Sequence, residues 1–98
     1  MSHIELAPEV GDDLERILAH LAEHEVEDAA SSIRDIIQAI SVLDHNPLIG
    51  RPAENGKREL VIGRSTRGHA ALYRYIPELD TVFVLTLKSQ REAGYARE

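Results

Sequence analysis

The chain contains no cysteine among its 98 residues. Neither a disulfide nor a thiolate-held zinc can therefore brace the fold, and no thiol can serve as a nucleophile. No apolar run approaches the roughly 20 residues that a membrane-spanning helix requires. The opening "MSHIELAPEV" has no charged start leading into an apolar stretch, so no signal peptide is expected. The G-x-S-x-G elbow of serine hydrolases is missing. "GRPAENG", residues 50–56, lacks the G-K-[ST] ending of a phosphate-cradling loop and does not join a strand to a helix. Nor is the chain basic as a whole. Its net charge of -6 argues against tight phosphate binding. A small, soluble, cytoplasmic protein without a cofactor is the expectation that these absences leave.

What is present is an ordinary globular balance, 43% hydrophobic and 29% charged, in a chain long enough for one modest core. A single domain over residues 1–98 is expected. The charge is unevenly spread. Residues 1–49 hold eleven acids against Arg16 and Arg34, a balance of -9, whereas residues 50–98 hold nine Lys/Arg against six acids, a balance of +3. A solvated acidic helix pair beside a mildly basic sheet accounts for this. So does a basic surface offered to an acidic partner.

Hydrophobic spacing divides the chain the same way. "HIELAP" (His3–Pro8) alternates and stops at proline, which predicts a short strand. Glu9, Asp12 and Asp13 suit the positive end of a helix beginning near Pro8, and Val10, Leu14, Ile17, Leu18 and Leu21 follow helical spacing. After "EHEVEDAA" a second stripe is formed by Ala29, Ile33, Ile36, Ile37, Ile40 and Leu43, until "DHNP" ends it. The two helices should form an antiparallel hairpin. Three antiparallel strands are predicted at "RELVIG" (Arg58–Gly63), "HAALYRYI" (His69–Ile76) and "TVFVLTLKS" (Thr81–Ser89). The segment between, "NPLIGRP", then reads as helix stop and turn. The fold class expected is α+β, ordered β-α-α-β-β-β, with a helical hairpin packed on one face of a small, mainly antiparallel sheet.

Few residues offer chemistry. His20 and His24 in "HLAEH" match H-x-x-E-H, in which two rings one helical turn apart could share a zinc ion. Both border the apolar stripe and no third ligand suggests itself, so they read as helix-flank residues and no metal site is expected. His69, at the start of a strand, reads as a packing or hydrogen-bonding residue. Asp12–Asp13 and Glu27–Asp28 lie at helix starts and read as dipole partners and caps. A run of cations and phenols remains: Arg51, Lys57, Arg58, Arg64, Arg67, Arg74, Lys88 and Arg91, with Tyr73, Tyr75 and Tyr95. Such groups could steady a phosphorane in metal-free phosphodiester cleavage. They could equally anchor a protein partner, or protect strand edges as solvated charges.

Taken in order, "HIELAPEVGDDLERILAHL", "NPLIGRP", "RELVIG", "HAALYRY" and "DTVFVLTLKSQRE" with its tyrosine tail resemble the RelE/ParE toxins of type II toxin–antitoxin modules, often called plasmid stabilisation proteins. The resemblance implies their compact α+β fold and a cognate antitoxin that wraps the toxin. Two activities compete within it. RelE-like members cut mRNA in the ribosome with strand lysines, a strand arginine, and an arginine and tyrosine near the C-terminus. Here the lysine positions fall within Leu60–Gly63, all neutral, and the strand arginine falls on Ala70. Only Arg91 and Tyr95 have counterparts, and these would be the catalytic residues if the chain were a nuclease. ParE-like members lack that cation set and trap DNA gyrase on cleaved DNA. The resemblance therefore implies gyrase inhibition, with Arg58, Arg64, Arg67, Arg74, Lys88, Gln90, Arg91 and Tyr95 as partner-binding residues. The alternatives are a ribosome-dependent nuclease and an inactive toxin fold that only binds its antitoxin.

Overall fold

The computed structural model describes residues 1–23, 29–63 and 68–90. Strand β1 (His3–Leu6) leads into helix α1 (Glu9–Glu23), followed by helix α2 (Ala29–Ser41) and a 3₁₀ turn at Val42–Asp44. Four strands complete the described chain: β2 (Arg51–Pro52), β3 (Arg58–Ile62), β4 (His69–Ile76) and β5 (Thr81–Ser89). The sheet order is β1-β5-β4-β3-β2, with β1 parallel to β5 and the other neighbours antiparallel. The α+β class and the helical hairpin on a mainly antiparallel sheet match the sequence expectation. Strand β2 is an addition to it, lying inside the segment read as a turn. Among the described residues, no helix is long and apolar enough to cross a membrane.

The helices take the apolar side of the sheet. Val10 and Ile17 of α1 and Ile36, Ile40 and Leu43 of α2 and its 3₁₀ extension pack on Ile62, Ala71, Tyr73, Val82, Val84 and Leu87. Each fully buried aliphatic side chain contributes about 1.5–3 kcal/mol. Ile37, predicted within the α2 stripe, is exposed instead. Ile33, Ile36, Ile40 and Leu43 already fill the width of helix that meets the sheet, and Ile37 falls beside it.

Asp13 corrects the sequence reading more sharply. It is not a solvated partner of the helix dipole but is 0% exposed. Its carboxylate accepts from Arg16 Nη1 at 2.8 Å, Thr86 Oγ1 at 3.1 Å and the Leu87 backbone N–H at 3.1 Å. Arg16 Nη2 donates to the Leu87 carbonyl at 2.9 Å. The reason lies in the strand order. β1 pairs with β5 only from Thr81 to Val84, and a bulge follows, because Tyr73 faces Val84 while Leu72 faces Thr86. The extra residue, Leu85, breaks the ladder. Beyond it both backbone polar groups of Leu87 are met by α1 side chains, so Asp13 and Arg16 complete the row that β1 leaves short.

The connector between α2 and β3 is held by a different device. The Gly50 N–H donates to the hydroxyl of buried Tyr73 at 2.9 Å, and Arg58 Nη1 donates to the Gly50 carbonyl at 2.8 Å and the Leu48 carbonyl at 3.2 Å. A Cβ on residue 50 would stand 2.7 Å from Tyr73 Cε1 and 2.9 Å from the Glu59 carbonyl oxygen, so only glycine fits. Burial pushes the Tyr73 phenol above its ordinary pKa, with the Gly50 N–H and the Arg58 charge pulling the other way.

Candidate partner-binding face

Alternation along β4 divides the cations between the two sides of the sheet. Arg58 stands opposite Tyr73 in register, on the helix side, where its guanidinium is committed to the connector carbonyls. Arg74 follows Tyr73 in the strand and therefore turns to the other side, where its Nη2 donates to the Asn55 carbonyl at 2.7 Å. Lys88 stands opposite Ala70 in register, on that same open side. The backbone N–H of Gln90 donates to the Gly68 carbonyl at 3.0 Å, which sets the last described turn against the start of β4. Arg64, Arg67, Arg91 and Tyr95, and with them His24, lie outside the described residues.

The open side carries a cleft of about 370 Å³ lined by Ala7, Glu9, Lys57, Leu72, Arg74, Leu85 and Thr86. Its walls combine aliphatic surface with two cations and one carboxylate. Such a lining suits a peptide carrying both apolar and charged groups. Glu9 reaches the cleft because β1, running parallel to β5, delivers the start of α1 to that end of the sheet. Of the predicted partner-binding residues the structure thus brings Arg74 and Lys88 to one face, with Lys57 beside Arg74, and places Arg58 on the other.

A second polar cluster binds the N-terminus. Ser2 Oγ and Tyr75 Oη both donate to Asp80 Oδ1, at 2.6 and 2.8 Å, and the two bonds hold the Asp80 carboxyl below its ordinary pKa. The Asp80 bond in turn raises the Tyr75 phenol. His20 is half-buried on α1. Among the described residues no group of three or more His, Cys, Asp or Glu converges in a way that could hold a metal ion.

The positions that would carry a nuclease's charge sit at the centre of this geometry. On β3, Leu60 is half-buried, Val61 is 45% exposed and Ile62 is buried, and on β4 Ala70 is 1% exposed. A sequence profile for the family described as "ParE toxin of type II toxin-antitoxin system, parDE" matches residues 4–94. The chain belongs to the ParE toxin family. Solved structures agree on the fold. A chain of the chromosomal ParDE toxin–antitoxin system from P. aeruginosa is 23% identical, with 91% of this chain and 96% of that one covered and a TM-score of 0.74. A mutant of the E. coli toxin RelE in the free state is 12% identical, with 94% and 86% covered and a TM-score of 0.66. A chain of the RelBE2 toxin–antitoxin complex from Mycobacterium tuberculosis is 22% identical, with 90% and 96% covered and a TM-score of 0.55. No curated protein matches the chain. The ParE toxin fold is thus shared with a RelE toxin, so fold alone does not choose between the two activities.

Sequence reasoning missed Asp13, Arg16 and Glu9 as members of this architecture. For Asp13 a signal was available: it lies three residues after Val10 and four before Ile17, on the stripe that faces the sheet. An acid on an apolar stripe requires donors, and Arg16 one turn on is the first of them.

Proposed function

We propose that this ParE-family toxin acts by binding DNA gyrase and trapping it on cleaved DNA, and that a cognate antitoxin neutralises it. The observation that carries the reading is Ala70, with the neutral run Leu60–Gly63 alongside it. A methyl group that is 1% exposed can neither donate a proton nor stabilise a phosphorane. Electrostatic donors at such positions are worth about 3 kcal/mol each in transition-state binding, so a chain without them is poorly equipped to cut RNA. Trapping an enzyme needs no bond made by the toxin, only tighter binding to one of its states. The cleft at Lys57 and Arg74, Lys88 and the segment from Gln90 through Arg91 to Tyr95 supply partner contacts of the required mixed character. Purified toxin should block supercoiling and accumulate cleaved complexes in a gyrase assay. No effect at large molar excess refutes the reading.

One observation favours the nuclease alternative. Lys88 stands opposite Ala70 on the open face, where a cation from β5 could serve in place of one from β4. That reading predicts ribosome-dependent mRNA cuts by primer extension shortly after induction, abolished by Arg91→Ala. Normal growth on induction without antitoxin would instead indicate a toxin fold retained only for antitoxin binding.

A further inference from the structure

The open-face cleft has its charges sorted along its length. Ala7 and Glu9 enter it from the β1 side, where the Ala7 N–H donates to the Val84 carbonyl at 2.9 Å. Leu85 of β5 and Leu72 of β4 follow toward its middle. Arg74 and Lys57 form the far end. They meet because Arg58 pairs with Tyr73, and the antiparallel register carries Lys57 one step further, opposite Arg74. The cleft thus crosses the sheet from β1 to the start of β3, three strand spacings or about 14 Å. A carboxylate stands at one end, two cations stand at the other, and leucine lies between.

The cationic end is set in advance. The carbonyl that receives Arg74 Nη2 belongs to Asn55, which with Gly56 forms a left-handed pair, φ 60° and φ 73°. Asn-Gly is the sequence that such a two-residue turn favours, and the Lys57 N–H closes it on the Glu54 carbonyl at 3.2 Å. A guanidinium placed before its partner arrives loses less freedom on binding. The charges also select the occupant. A nucleic acid carries a phosphate on every nucleotide, so a strand that met Arg74 would set another phosphate against Glu9. The net charge of -6 adds to that repulsion. A polypeptide can change the sign of its charge along its length. About four extended residues span the same 14 Å or so, enough for an acidic residue, two apolar ones and a basic one.

We infer, resting on the gyrase reading proposed above, that the cleft holds a short segment of the gyrase polypeptide and not the DNA it has cleaved. The segment sets an acidic side chain on Lys57 and Arg74, apolar ones on Leu72 and Leu85, and a basic one on Glu9. Glu9 is the specificity-determining residue. It fixes the direction of the segment and turns nucleic acid away from a pair of cations that would otherwise accept phosphate.

Glu9→Lys tests this, because it makes the three charged side chains that line the cleft all positive. Two measurements are paired: supercoiling by purified gyrase titrated with the toxin, and binding of the toxin alone to a fluorescent DNA duplex at about 150 mM salt. Wild-type toxin should inhibit gyrase and bind the duplex only weakly. Glu9→Lys should inhibit about tenfold less and bind the duplex about tenfold more tightly, with an unchanged melting curve. Asp35→Lys makes the same charge change on an exposed residue of α2, a helix that does not line the cleft. It should leave both measurements within about twofold of wild type. Glu9→Gln, which keeps the size of the side chain, should inhibit about threefold less, and it carries the test if the lysine variant does not fold. Folded Glu9→Lys or Glu9→Gln that inhibits as well as wild type overturns the inference. So does a gain in DNA binding by Asp35→Lys equal to that of Glu9→Lys. Tight duplex binding by wild-type toxin that Arg74→Ala abolishes assigns the cleft to DNA instead. Each of these leaves the gyrase reading intact, whereas a wild-type toxin without effect on gyrase overturns both.

Discussion

The two ends of the sheet meet the same difficulty with opposite outcomes. Each outer strand, β1 and β2, is shorter than the neighbour it covers, so each leaves backbone groups of β5 or β3 without a strand partner. At the β1 end a helix supplies the missing partners from its side chains, and the result is a buried, closed joint between α1 and β5. At the β2 end nothing described fills the row. Burial separates the cases. Leu87 faces the core, where an unpaired N–H would cost about 1–3 kcal/mol, while the Val61 edge faces solvent, where water satisfies it without penalty. A closed row serves stability, and an open one is left to solvent.

The largest effect expected from disturbing this contrast is at Asp13. Asp13→Ala should destabilise the fold by about 2–3 kcal/mol, because it orphans the Leu87 N–H and takes from the Thr86 hydroxyl its buried acceptor. Urea unfolding measures this, and Asp13→Asn, which keeps an acceptor, should cost less. A loss below about 1 kcal/mol would mean that the joint is not sealed by these bonds. Next comes Gly50→Ala, which forces a methyl against Tyr73 and the Glu59 carbonyl and should cost about 1–3 kcal/mol in thermal unfolding.

Acid should weaken the closed end. The Asp80 carboxyl, held low by Ser2 and Tyr75, adds stability above its unfolded pKa near 3.9, and that contribution is lost as pH falls through its folded value. Asp80→Asn should flatten that part of the pH–stability curve. A parallel curve in the variant would show that the N-terminal cluster does not contribute. The smallest change in stability is expected from Arg74→Ala on the open face, within about 0.5 kcal/mol. On the gyrase reading proposed above, its effect should be on function, as weaker gyrase inhibition at unchanged melting temperature. Equal inhibition would remove the cleft from the partner-binding face.

The helical hairpin and β3–β5 were legible because each buries one side, which imprints a period of 3.6 or 2 on the sequence. Strand β2 left no such imprint. It has only two residues, both exposed and one of them proline, and it exists because β3 offers it a row to join. The carboxylate pair Asp12–Asp13 shows the limit of local pattern in another way. Asp12 and Asp13 are adjacent and chemically identical, yet one is exposed and the other is fully buried, a difference of 100° around the helix axis that matters only once the sheet is in place. Cations were legible as a set but not as a face, since Arg58 and Arg74 are separated by the pleat of strands whose register no composition reveals. Ala70 was the most informative position, because its meaning depends on a missing charge and not on a partner.

The pairing of His3–Leu6 with Thr81–Val84 has a consequence for how the toxin is made. A ribosome emits β1 first, and its strand partner lies nearly the whole length of the chain away. Until β5 has emerged, β1 has no neighbour, α1 has no Leu87 to hold, and the sheet lacks its central scaffold. Such distant contacts are slow to close and late to reward the chain. The sheet can therefore close only once β5 is available, and a copy that lacks β5 leaves β1 unpaired and α1 without the Leu87 backbone it holds.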